Sequence, residues 1–96
     1  MKKDNQLSIG DAIKQLFHSI RIEDKVAEVR IKELWPTMMG AAIHRYTGEI
    51  YFNKGILTIY INSAPLKQDL QFSKQEIIER VNEELQENLV REVIIR

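Results

Sequence analysis

His18 and His44 are the only histidines in the sequence, and neither has a second histidine or a carboxylate four residues on, the spacing that sets two metal ligands on one helix face. Cysteine is absent, which removes thiol nucleophiles, disulfides, zinc ribbons and iron–sulfur ligation together, and fits a reducing compartment. Gly40, Gly48 and Gly55 stand alone, and none opens a helix after a strand with the lysine that a phosphate-cradling loop needs. No serine sits in a nucleophile elbow. The chain reads as a protein with no enzymatic activity, bound metal or cofactor.

What remains is the chemistry of contact. His44-Arg45-Tyr46 is a cationic and aromatic cluster that can meet a phosphate and stack a base, or equally a helix C-terminus where basic side chains suit the dipole. Tyr51 and Tyr60 are placed to share one face of a hairpin, as aromatic platforms for single-stranded nucleic acid do, or for cross-strand packing alone. Phe72 points away from the apolar stripe of its own helix, which makes it either a cover for a neighbouring helix or a protein contact. Trp35, the only tryptophan, ends an apolar stripe and is read as a structural core residue, with Gly40 and Gly55 as structural glycines. His18 reads as a partly exposed polar residue. Glu76, Glu79, Glu83, Glu84 and Glu87 form an acidic face that is either solvated or open to a basic partner.

The elements that must carry these groups fit one core. The 96 residues are 44% hydrophobic and 29% charged, average globular usage and too short a chain for two cores. Fourteen basic groups balance fourteen acidic ones, so any nucleic-acid affinity must come from a local patch and is expected to be weak. Residues 1–48 carry eight basic and six acidic groups and residues 49–96 six and eight, a mild +2/−2 asymmetry. No apolar run approaches a membrane span and no secretory signal follows Met1-Lys2-Lys3, so a cytoplasmic protein without membrane contact is expected. Residues 1–8 read as a flexible N-terminus and 9–96 as a single domain.

Ile9, Ala12, Ile13, Leu16, Phe17 and Ile20 recur at helical spacing, which predicts a first helix over 9–20, capped by Ser8 with Asp11 in the first turn. After Arg21-Ile22-Glu23-Asp24 a second stripe, Ala27, Ile31, Leu34, Trp35 and Met38, predicts a second helix that keeps Glu23, Glu28, Arg30 and Lys32 in water. Pro36 should end it at Trp35, kink it, or open a new turn, and Gly40 marks a further interruption. Residues 49–53 and 56–62 read as a hairpin around Asn53-Lys54-Gly55, its Leu57/Ile59/Ile61 face under helices. Ser63-Ala64-Pro65 opens a helix read as continuous over 64–88. The alternative is two helices broken near Phe72, since Ser73 and Glu76 match a capping box. Val90 to Arg96 predicts a third strand. No internal repeat or linker is apparent. The fold class is α+β, a three-stranded sheet with helices packed on one face, in the order α-α-β-β-α-β.

Trp35 with Gly40 after it, Thr47 before the first strand, Gly55-Ile56-Leu57, Ser63 to Leu70, Val81-Asn82 with Leu85, and the closing Val93-Ile94-Ile95-Arg96 resemble the bacterial DciA-like family over about residues 10 to 96. The resemblance implies a K-homology-like domain and a role in DNA replication, assisting or loading the DnaB-type replicative helicase, with some members binding single-stranded DNA. Many members carry a long basic extension, whereas this sequence stops at Arg96, and Gly48-Glu49 stand where members often have a proline. The Gly-x-x-Gly loop with which K-homology domains clamp a nucleic-acid backbone is missing too. The leading expectation is a non-enzymatic adaptor with the helicase as its protein partner, contacted through Phe72, Arg45 and Tyr46. One alternative is a small single-stranded nucleic-acid-binding module that uses Arg45, Tyr51 and Tyr60 and acts without the helicase, and a residual one is a scaffold or dimerisation domain.

Overall fold

The computed structural model describes residues 8–96. Seven elements follow in order: α1 (Ile9–Met39), α2 (Ala41–Arg45), β1 (Thr47–Asn53), β2 (Ile56–Ile61), α3 (Ala64–Gln71), α4 (Lys74–Leu85) and β3 (Glu92–Ile95). The order is thus α-α-β-β-α-α-β, one helix more than expected. Residues 1–7 of the expected flexible N-terminus lie outside the described residues. Ser8 is the N-cap of α1 and accepts the Asp11 N–H at 3.0 Å, as its position in the sequence suggests.

The two helices expected over 9–20 and up to Trp35 are one helix of 31 residues. The connecting Arg21-Ile22-Glu23-Asp24 contains neither glycine nor proline, so once α1 has nucleated nothing there stops its propagation. Pro36 does not end it either. The bond it forfeits, to the carbonyl of Lys32, belongs to an exposed residue where water can replace it. The last turn is held by the Gly40 N–H on the Pro36 carbonyl at 2.9 Å and by the Arg80 guanidinium on the Met38 carbonyl. Gly40, at φ 94°, then turns the chain into α2.

The helix expected over 64–88 breaks at Phe72-Ser73 into α3 and α4. Phe72 and Ser73 donate their N–H groups back to Asp69 and Leu70 as turns, and the Ser73 hydroxyl approaches the Asp69 carbonyl at 3.5 Å. A serine bonding backward in this way competes with the helical ladder. Its hydroxyl makes no cap bond to α4, so the capping box suggested by Ser73 and Glu76 does not form.

Sheet order is β1-β2-β3, with β1 antiparallel and β3 parallel to the central β2. Lys54 and Gly55, at φ 51° and 83°, form the two-residue turn of the hairpin, the conformation that matches strand twist. Gly55 is doubly constrained, because a Cβ there would lie 2.5 Å from Nε of Arg91, whose guanidinium also donates to the Lys54 carbonyl at 2.8 Å. Ile50, Phe52, Leu57, Ile59, Ile61, Val93 and Ile95 alternate onto one buried face, where Ala27, Ile31, Trp35, Leu70, Ile77, Val81 and Leu85 cover them. The Leu57/Ile59/Ile61 expectation holds.

Of α1, only the second half takes part in that cover, beside α3 and α4. Ile9, Ile13, Leu16 and Phe17, expected to line a core, are exposed on a stretch of helix that runs past the edge of the sheet, in a molecule 61 Å long and about a third as wide. Glu28, expected in water, is 7% exposed. In an antiparallel hairpin closed by the Asn53–Ile56 pair, the Phe52 N–H points outward from edge strand β1, and Glu28 Oε2 accepts it at 3.4 Å. Asp24, one turn earlier, accepts the Lys54 N–H at 3.1 Å. Arg30 is also drawn out of bulk water, donating to the Leu85 carbonyl at 3.1 Å and pairing with Glu87 at 3.6 Å, which fixes α1 to the end of α4.

Candidate functional site

The exposed contact groups hang on a small set of buried ties. Trp35 is fully buried, and its Nε1–H donates to Thr47 Oγ1 at 2.9 Å, while the Thr47 hydroxyl donates to the Ile43 carbonyl at 2.7 Å. One tryptophan and one threonine thereby join α1, α2 and β1 and set the direction in which α2 ends. Arg45 and Tyr46 occupy that end, both exposed, and the Tyr46 carbonyl accepts the Asn62 N–H at 2.7 Å. His44 stands beside a shallow cleft of about 210 Å³ that also touches Trp35, Thr47 and Ile50.

Tyr51 and Tyr60 lie on the face of the sheet that no helix covers. Tyr51 opposes Thr58, so Tyr60 is its diagonal neighbour, and the two rings meet edge to face with centroids 5.9 Å apart and planes at 89°. Both rings stay substantially open, 48% and 39% exposed.

Phe72 is 83% exposed at the break between α3 and α4 and covers no neighbouring helix. The structure does not bring it to Arg45 and Tyr46. They stand at the end of α2, tied by the Tyr46 carbonyl to Asn62 at the start of the β2–α3 junction, whereas Phe72 is at the far end of α3, a helix of eight residues and about 12 Å. The three candidate contact residues therefore lie at two points about one short helix apart.

Sequence reasoning missed the polar ties that hold these points in place. Glu28 is the clearest. Burial pushes its carboxyl pKa up, but the Phe52 N–H, the bond to Lys32 and the charges of Lys25 and Lys32 outweigh that and hold it below the ordinary value. Asn82 accepts the Val90 N–H and donates to the Val90 carbonyl, both at 2.9 Å, closing the loop that delivers β3 to the sheet. Gln71 donates to the Ile95 carbonyl at 3.2 Å. The spacing of Asp24 and Glu28, one turn apart beside an apolar stripe, was the one signal available in the sequence. Among the described residues no group of histidine, aspartate and glutamate is arranged to hold a metal ion, and no helix is long and apolar enough to cross a membrane.

Trp35, Thr47, Gly55 and Asn82, which make these ties, are among the residues that carry the likeness noted in the sequence. The family model described as "Dna[CI] antecedent, DciA" matches residues 8–95. The chain belongs to the DciA family. No curated protein and no solved structure matches it. The match to the DciA family takes in α1 from its cap onward, so the free half of that helix falls within the family's extent as well as the sheet and its cover.

Proposed function

We propose that this DciA-family chain is a non-enzymatic adaptor of bacterial DNA replication, acting in the cytoplasm, that binds the DnaB-type replicative helicase and assists its loading onto single-stranded DNA. The observation that carries the reading is the family match across residues 8–95. In this reading residues 9–96 work as one K-homology-like unit, and Phe72, Arg45 and Tyr46 are its contact residues. What supports Phe72 is its exposure at the turn between α3 and α4, where an aromatic ring is free to enter a partner's pocket. Titration of the chain with the helicase of the same organism tests this. A complex is expected at micromolar concentrations, and Phe72→Ala should weaken it about tenfold, the effect of losing about 1.4 kcal/mol of contact energy. No complex at tens of micromolar overturns the reading.

The Tyr51–Tyr60 pair on the uncovered sheet face favours a second reading, a small single-stranded nucleic-acid-binding module that needs no helicase. With zero net charge, its affinity would rest on base stacking and Arg45. Fluorescence anisotropy with short single strands should then give binding that weakens with salt and drops on Tyr60→Ala by the equivalent of about 1–3 kcal/mol. Salt-insensitive or absent binding removes this reading.

A further inference from the structure

An eight-residue pattern in α1 recurs. Ile13-Lys14-Gln15-Leu16-Phe17-His18-Ser19-Ile20 is followed, eighteen positions on, by Ile31-Lys32-Glu33-Leu34-Trp35-Pro36-Thr37-Met38. The sequence had seemed free of internal repeats, but three positions here are identical, and Phe17/Trp35 and Ile20/Met38 exchange one large apolar side chain for another. Eighteen residues make five turns at about 3.6 residues each, so both copies point the same way from one helix. The second copy packs against the sheet, with Ile31 and Trp35 fully buried. Among the described residues nothing packs beneath the first: Ile13, Leu16 and Phe17 are 45%, 58% and 56% exposed, and Ile9, one turn earlier, is 81% exposed.

We infer that this free half of α1 is a self-association surface, on which two copies of the chain pair their 9–20 segments antiparallel about a two-fold axis. The direction follows from where the body sits. Because the sheet lies under the same face of α1 from about Asp24 onward, a second helix lying parallel on the free stripe would run its own continuation into that sheet. An antiparallel helix leaves past the Ser8 end, and the two bodies stand at opposite ends of the pair, with helix dipoles opposed. A two-fold near Lys14-Gln15 sets Ile13 of one copy against Leu16 of the other, and Ile9 against Ile20. A second copy is the occupant because one stripe then covers the other, with no further surface required.

The area sets the strength. At roughly 200 Å² for a large side chain, the four exposed residues offer about 500 Å² per copy, about 1,000 Å² for the pair, the lower bound of a specific interface. The dimer accordingly falls at the weak, transient end of specific interfaces.

Sedimentation equilibrium of the full chain from about 1 to 300 µM tests this, with Leu16→Glu and Phe17→Glu beside the wild type. Both residues are more than half exposed, so circular dichroism should show the variants folded. The wild type is expected to pass from monomer to dimer across that range, and either variant to raise the dissociation constant at least tenfold. Since the chain has no cysteine, single replacements report direction through a short bis-maleimide. Ile13→Cys should cross-link, whereas Ile9→Cys, about 16 Å from its counterpart in the antiparallel pair, should not. A wild type that stays monomeric at 300 µM overturns the inference, and so do variants that dimerise as well as the wild type or equal cross-linking at both positions. If the wild type is monomeric and Phe17→Glu abolishes helicase binding, the stripe serves that partner instead and self-association is rejected.

Discussion

Within one helix, residues 13–20 and 31–38 carry the same apolar pattern in the same order and on the same side, yet the first set is largely in water and the second lies against the core. The difference lies in what the rest of the chain supplies. A hairpin and two short helices arrive under 31–38, and nothing among the described residues arrives under 13–20. Periodicity states which face of a helix is apolar; topology states what covers it. Matched substitutions in the two halves turn this into a measurement.

The largest contrast is expected at the paired aromatic positions. Trp35→Ala removes a fully buried ring and the Nε1–H bond to Thr47, and should cost about 3–5 kcal/mol, a large share of the stability of so small a domain. Phe17→Ala, the equivalent change 18 residues earlier, should alter stability by no more than about 0.5 kcal/mol in dilute solution. Urea unfolding of both variants at low micromolar concentration measures the gap. Similar losses would mean that the free half is covered within the monomer and the contrast is false.

A second contrast concerns charge at the point where the covered half begins. Glu28 holds its folded pKa below its ordinary value, so its contribution is fully present above the unfolded glutamate pKa of about 4.3 and is lost as pH falls through the folded value. Stability measured by urea unfolding should therefore decline as pH drops below that point. Glu28→Gln, which keeps an acceptor for Phe52 but not the charge, should flatten this part of the profile. Glu28→Ala, which leaves the Phe52 N–H without a partner, should cost about 1–3 kcal/mol near neutral pH. An unchanged acid profile in the Gln variant would show that the carboxylate does not hold the hairpin edge.

These contrasts also mark what the residues alone disclosed. The hairpin was legible because Lys54-Gly55 supplies the left-handed turn and the flanking residues alternate with period two, and that same period placed Tyr51 and Tyr60 on one face before their rings were seen to meet. Ser8 and Ser63 were legible as caps, each accepting an N–H three residues on. The union of the first two helices was not, because a polar run without a breaker looks the same in a loop and on the wet side of a helix. The break at Phe72 was legible only as the alternative to one continuous helix, through Phe72 lying off the stripe and Ser73 standing three residues before Glu76, and what forms it is backbone turns and a serine hydroxyl bonding backward, not the capping box. As for the candidate site, the exposure of Phe72 followed from its position off the stripe, but its separation from Arg45 and Tyr46 depends on how α3 lies, which no local pattern encodes.

The smallest expected effect asks whether the two halves of α1 unfold together. Ser8 caps the free half, and Ser8→Ala removes the bond to the Asp11 N–H, a loss of about 1 kcal/mol for an exposed cap. A free-standing helix of 12 residues would be marginal in water, but this one extends a nucleus already held by the sheet, so each turn is added without a new nucleation step and can fray from its end alone. The cost should therefore stay local. Amide hydrogen exchange over residues 9–13 should speed up about fivefold at concentrations where the chain is monomeric, while the urea midpoint stays within error, because residues 27–38 and the sheet beneath them do not depend on that turn. Exchange that slows again above about 100 µM would tie the same turn to self-association. A shift in the urea midpoint as large as the cap energy would instead make α1 one cooperative unit, its exposed half contributing to the stability of the body as fully as the buried one.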